Sequence, residues 1–221
     1  VLGMLRLERG MDTEAISNLC HGERFAPEPL SEAERAALTS RSLDDAPPHV
    51  AGDYPGWLDA HLANVFGDDR VAEATAMASR APLDLRVNTL KANREKVLPR
   101  LSHLGAKETP WSPIGLRIEL GADARNPGIH AEEDFIKGAI EVQDEGSQLA
   151  ALLSAAKPGE QVIDLCAGAG GKTLALAAMM QGKGRLIATD HDKRQLAPIY
   201  ERLSRAGVHN AHVYSLEPSS N

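Results

Sequence analysis

"DLCAGAGGKT", residues 164–173, sets an acidic residue at the end of an apolar run, then a glycine-rich turn, then the opening of a helix at Lys172 and Thr173. A turn of this kind brings backbone N–H groups to a ligand at a strand–helix junction. Its flanks extend the reading. "EQVIDLCA" (160–167) and "GRLIATD" (184–190) predict buried strands, and "AHVY" (211–214) starts a third. "GSQLAALLSAA" (146–156), "GKTLALAAMMQ" (171–181) and "KRQLAPIYERLSRAG" (193–207) predict helices between and before them. Strands alternating with helices imply parallel pairing and a doubly wound sheet. A sheet that stops at its third strand would carry an unpaired edge and uncovered apolar faces.

Such a turn can hold a phosphate or a nucleoside, and three ligands compete for it. A P-loop requires G-x-x-x-x-G-K-[ST]. Gly171, Lys172 and Thr173 fit, but the first glycine falls on Cys166, and no later strand ends in a magnesium-binding aspartate. The dinucleotide pattern G-x-G-x-x-G is met by Gly168 and Gly170 and fails at Thr173. The third ligand is S-adenosylmethionine, which has no pyrophosphate. For it the glycines admit backbone to the methionine part, and the helix start favours its carboxylate. Asp190 stands nineteen residues after Gly171, close to the spacing of ~20 at which an acid meets ribose hydroxyls. The competing role for Asp190 is the N-cap of the helix that follows.

Upstream, "PLDLRVNTLK" (82–91), "GLRIEL" (115–120) and "GAIEVQDEG" (138–146) predict strands, the first of them half-buried by its alternation. "NREKVLPRLSHLG" (93–105) predicts a helix stopped by Gly105, with Pro99 as a possible kink. This order suggests a small α+β domain with one antiparallel sheet. In "LSEAERAAL" (30–38) Ser31 and Glu34 have the spacing of a capping box. "APPHVAGDYPGW" (46–57) reads as a linker. Residues 57–80 read as helices with Leu58, Leu62, Val65 and Phe66 on one face, broken at Gly67.

The 221 residues suffice for one large or two small domains, and the 43% hydrophobic, 4% aromatic composition predicts an aliphatic core. A net charge of −7 gives no bulk attraction to nucleic acid, so any RNA contact needs a local basic face. No apolar run reaches a membrane span and no secretory signal is seen. Cys20 and Cys166 show neither metal-ligand nor disulfide spacing, which makes the reducing cytoplasm the default location. The start at Val1 and the close on "HVYSLEPSSN" read as a fragment of a longer protein.

"VQDEGSQLAALLSAAKPGEQVIDLCAGAGGKTLALAAMM" followed by "ATDHDKRQL" resembles the RNA cytosine-5 methyltransferases of the RsmB/Nop/Sun type, whose first motif reads close to D-x-C-A-x-x-G-G-K-T. "PLDLRVNTLK" is similar to the family's R-x-N-T element. The resemblance runs from about residue 82 to the end. It implies a truncated, Rossmann-like S-adenosylmethionine-dependent methyltransferase domain over 144–221. A small α+β RNA-recognition-like domain over 81–143 and a helical leader over 1–80 would precede it. Cys166, Ala167, Gly168, Ala169, Gly170, Gly171 and Lys172 would bind the methionine backbone and carboxylate, and Asp190 the ribose. Arg194 would flank the adenosine, or be an ordinary surface arginine. Arg86 and Asn88 would contact RNA, or lock the small domain to the catalytic one.

The chemistry implied is covalent. A cysteine thiolate adds at cytosine C6, C5 gains the electrons to attack the methyl on sulfonium, and loss of the C5 proton releases the base. The family's two cysteines for these steps are expected beyond Asn221, and no catalytic residue is assigned within the chain. Cys166 is expected as a small buried residue in the cofactor turn, and Cys20 matches no catalytic motif. Ribosomal RNA is the substrate the resemblance implies, with no metal and no membrane. The alternatives are a non-catalytic RNA-binding or scaffold protein of the same fold, and a P-loop nucleotide hydrolase.

Overall fold

The computed structural model describes residues 1–7, 9–40, 42–44, 46–121 and 125–216. Residues 217–221 of the closing stretch lie outside them. Two compact units appear, Val1–Ser79 and Arg80–Asn221.

The first unit is helical: α1 (Leu2–Leu7), α2 (Thr13–Leu19), α3 (Glu32–Ser40), α4 (Pro48–Ala51), α5 (Asp59–Phe66) and α6 (Arg70–Ala78). Ile16, Cys20, Leu30 and Leu38 form a small core in its first half. The capping box is made: the Ser31 N–H donates to Glu34 Oε2 at 2.8 Å, and the Glu34 N–H donates back to Ser31 Oγ at 3.3 Å. The expected linker is partly helical, because Pro48 at the first position of α4 presets a helical φ and has no N–H to satisfy. Gly67 separates α5 from α6 through a short 3-10 turn. The apolar face read over 57–66 is only half realised: Leu58 and Leu62 are half-buried, whereas Val65 and Phe66 are exposed.

The second unit opens with a four-stranded antiparallel sheet of order β2-β3-β1-β4, built from β1 (Leu83–Val87), β2 (Lys107–Glu108), β3 (Gly115–Ile118) and β4 (Ile140–Val142). Helices α7 (Arg94–Arg100) and α8 (Glu133–Ile136) connect them. Asn93 caps α7 by accepting from the Lys96 N–H, and Gly105 closes the turn after it in the left-handed conformation. Leu85, Val87, Val97, Leu101, Leu116 and Ile140 form the core of this sheet. Each such fully buried aliphatic side chain contributes about 1.5–3 kcal/mol.

β1 departs from the half-buried expectation. Its polar residues Asp84 and Arg86, and Asn88 just after it, are as buried as Leu85 and Val87. The face that alternation assigned to water is covered by α9 (Glu145–Leu153) and by the elements that follow. Burial is tolerated because each of these side chains is bonded, Arg86 through its Nε. Arg117 makes a two-pronged bond to Asp84 at 2.7 and 2.8 Å. Gln148 donates to Leu85 O and Gln143 O and accepts from Ser112 Oγ.

After α9 the chain is α/β: β5 (Gln161–Asp164), α10 (Gly171–Met179), β6 (Arg185–Asp190), α11 (Lys193–Leu196), α12 (Ile199–Ala206) and β7 (Ala211–Ser215). The strands pair in parallel in the order β5-β6-β7, with Val162 opposite Leu186 and Thr189 opposite Tyr214. The single helix expected over 193–207 is two, because the Pro198 ring interrupts the helical hydrogen-bond ladder between them. Leu174, Leu176, Met180, Leu186, Ile199 and Leu203 pack the core. β5 was expected to be buried and is not. Among the described residues it pairs along one edge only, and Ile163 and Leu165 are 58% and 64% exposed. This is the unpaired edge and uncovered apolar surface foreseen for a sheet of three strands.

Candidate cofactor site

Residues 165–170 form the turn between β5 and α10. It is pinned to the neighbouring strand at successive points. The Ala167 N–H donates to Thr189 O at 2.9 Å, and Thr189 Oγ donates to Leu165 O at 2.8 Å. The Gly168 N–H donates to Asp190 Oδ2 at 3.0 Å. Asp164, which closes β5, accepts from the Thr173 hydroxyl at 2.7 Å and so ties the strand end to the first turn of α10. Gly170 sits at the N-cap with φ +85°, and a Cβ there would lie 2.4 Å from Ile199 Cγ1, so both conformation and space require glycine. The N–H groups of Gly171, Lys172 and Thr173 cannot be satisfied within the helix they begin, and they carry its positive end.

Asp190 is not the N-cap of the next helix. Asp192 is, accepting from the Arg194 N–H at 2.8 Å. The buried Asp190 carboxylate accepts from the Asp192 and Gly168 N–H groups, both at 3.0 Å. These bonds, the Asp192 one first, hold its carboxyl below the usual carboxylate range. A carboxyl lowered on folding stabilises the turn above its ordinary pKa of about 3.9, and that contribution is lost as pH falls through the folded value. The tether is therefore intact at neutral pH.

The remaining expected site residues are distributed as follows. Ala167 and Gly170 are buried, Gly168, Ala169 and Gly171 half-buried, and Lys172 exposed. Cys166 is exposed, not buried as expected, like its neighbour Leu165 at the end of β5. Arg194 is exposed on α11. Asn88 takes the locking role: its Nδ2 donates at 2.9 Å to both Gly138 O, in the turn before β4, and Ala206 O of α12. Arg86 is 1% exposed, with Nε donating to Gln143 Oε1 at 2.6 Å and Nη1 buried without a partner. Burial pushes this guanidinium down to about 10, against the pull of Glu141.

One residue not singled out from the sequence reaches the turn, and a second holds the first in place. Arg202 of α12 donates from Nη1 to Ala169 O at 2.8 Å, and its Nη2 lies 3.1 Å from Glu141 of β4. A charged residue inside the short apolar strand "AIEV", and arginines three apart on the Ile199–Leu203–Ala206 face, were the available signals.

A parallel sheet with a glycine turn after one strand and an acid ending the next, preceded by a small antiparallel sheet, defines a Rossmann-like methyltransferase fold with a ferredoxin-like domain. The solved methyltransferase homolog protein from Pyrococcus horikoshii matches with a TM-score of 0.68 and 29% identity, over 77% of this chain and 55% of that one. NSun6 from Pyrococcus horikoshii shares the fold, with a TM-score of 0.65 and 20% identity over 74% and 65% of the two chains. Residues 151–220 match the family model for the 16S rRNA methyltransferase RsmB/F, and residues 54–125 that for the RsmF/B-like ferredoxin-like domain. The chain belongs to the RsmB/F methyltransferase family. Ribosomal RNA small subunit methyltransferase B of Salmonella paratyphi B is 32% identical over 157 residues, which are 70% of this chain and 35% of the relative. The chain thus spans about a third of the length of the curated relatives it matches. No helix among the described residues is long and apolar enough to cross a membrane.

Proposed function

We propose that this chain carries the S-adenosylmethionine-binding half of a methyltransferase acting at cytosine C5 of ribosomal RNA in the cytoplasm. The observation that carries the reading is the pairing of the Gly168 N–H with Asp190 beside the start of α10. The cofactor would supply an electrophilic methyl group. The residues present fit it: the N–H groups of Gly171 to Thr173 suit a carboxylate, and the two bonded oxygens of Asp190 keep lone pairs for ribose hydroxyls. Cys166, Ala167, Ala169 and Lys172 complete the proposed contact surface. Cys166 stands where a P-loop needs its first glycine, which argues against a nucleoside triphosphate. The pyrimidine specificity and the choice of ribosomal RNA rest on the family alone.

Calorimetry tests this directly. S-adenosylhomocysteine should bind the chain, and ATP should not. Asp190→Asn should weaken S-adenosylhomocysteine by about tenfold or more, since an amide offers one acceptor oxygen where the carboxylate offers two. Tight ATP binding without S-adenosylhomocysteine binding would replace the reading with a phosphate loop. An Asp190→Asn chain that binds as well as the parent would remove Asp190 from the site.

A further inference from the structure

We infer that Arg202 is the positioning residue of the glycine turn, and that the small antiparallel sheet, through Glu141, thereby sets how well the turn binds its ligand. The part of this that concerns ligand affinity rests on the proposed cofactor reading.

The turn is held by β6 through its N–H groups at Ala167 and Gly168, and its Ala169 carbonyl is held from α12 by Arg202 Nη1 at 2.8 Å. This carbonyl immediately precedes Gly170, the left-handed residue at the helix start. The N–H side of this same peptide plane is held by its bond to Ala167 O at 2.8 Å, and Arg202 fixes the carbonyl side, so it helps set where the first N–H groups of α10 point. Arg202 cannot drift, because its Nε and Nη2 lie 3.3 and 3.1 Å from one oxygen of Glu141. Glu141 is itself 1% exposed, and its second oxygen accepts from Arg205 Nη2 at 2.7 Å. It lies opposite Arg86 in the register of β4 with β1. A charge-assisted bond from a doubly anchored guanidinium is stronger and more directional than one from a free side chain. The consequence is that a residue of the small sheet, far from the turn in sequence, belongs to the machinery that presents the turn.

The variants are chosen so that the fold survives. Removing Glu141 would take the shared carboxylate from both Arg202 and Arg205, whereas removing Arg202 leaves Glu141 still paired with Arg205. Hydrogen exchange on the ligand-free chain reads the positioning itself. In Arg202→Met the peptide covering 166–172 should exchange at least about tenfold faster, the equivalent of one hydrogen bond to a charged group, while the peptide over β7 stays unchanged. Arg202→Lys, which can still reach the carbonyl, should restore most of the protection. Calorimetry then reads the consequence: S-adenosylhomocysteine should bind Arg202→Met about tenfold more weakly and Arg202→Lys nearly as the parent. Unchanged exchange over 166–172 in Arg202→Met overturns the inference, as does equal loosening in the Met and Lys variants. A parent chain that fails to bind S-adenosylhomocysteine, yet loosens at the turn in Arg202→Met, overturns the cofactor reading and leaves the positioning role standing.

Discussion

Arg117→Met should lower the unfolding free energy of the second unit by about 3–5 kcal/mol, the usual cost of stranding a buried charge. Asp84 is the charge at risk. Its side chain is 2% exposed, and Arg117 supplies both of its charge-assisted bonds. Its remaining partner is the Glu145 N–H at 3.0 Å. Arg117 also lies 3.4 Å from Glu145, which is buried beside Asp84. Burial would push the Glu145 carboxyl up, but the Ser112 and Trp111 N–H groups and Arg117 hold it below the usual range. Methionine fills the volume and removes the cation that lies between the two acids, so the loss measures pairing and not packing. Arg117→Lys should recover a minority of it, because an ammonium cannot bond both oxygens of Asp84 in one plane. Urea unfolding followed by circular dichroism at neutral pH checks this. A loss under about 1 kcal/mol would place the pair in the class of surface salt bridges, which contribute that little.

Gly138→Ala should cost about 2–5 kcal/mol and separate the small sheet from α12. Gly138 has φ +69°, where an alanine is strained by about 1–2 kcal/mol. The larger part is contact. A Cβ would stand 2.0 Å from the carbonyl oxygen of Arg205 and 2.6 Å from its carbon. These are backbone atoms in the last turn of a packed helix, so neither a rotamer change nor a side-chain shift relieves them, and overpacking adds its own ~1–3 kcal/mol. Asn88 bridges Gly138 and Ala206 at this same point, and the bridge breaks when the surfaces part. Thermal melting should fall, and hydrogen exchange should rise together over β1 and α12. A melt within a degree or two of the parent would mean that the two surfaces slide past each other without loss.

Periodicity and glycine chemistry made the order of elements legible from β1 onward, and the turn from 165 to 170 was located by its residues alone. What they missed has one physical origin. Alternation in "LDLRV" reports which residues share a face, but not whether the polar face meets water or another part of the chain. The strand was therefore expected to be half-buried, when partners 33 and 57 residues away from Asp84 and Arg86 bury its polar face as well. Arg202 escaped for the same reason, since nothing local distinguishes an arginine that reaches a carbonyl in the turn from one in solvent. Asp190 ends β6, but its neighbour Asp192 is equally good cap chemistry, and only the geometry separates their roles. The exposure of Ile163 and Leu165 follows from the number of strands and not from hydropathy, which records what a strand would bury and not what is there to cover it.

The bond from Asn88 to the Ala206 carbonyl spans 118 residues, and it bears on how the chain reaches this state. During synthesis the small sheet emerges first, with its hydrophobic core complete by β4 while Arg86, Asn88 and Glu141 still face water. Docking must wait until α12 has left the ribosome, because α12 supplies Ala206, Arg202 and Arg205. Closing so long a loop late is slow relative to forming the local helices. The glycine turn, which depends on Arg202, should therefore be the last part of the second unit to become ordered, and a nascent chain halted before residue 199 should hold a folded small sheet beside an unset turn.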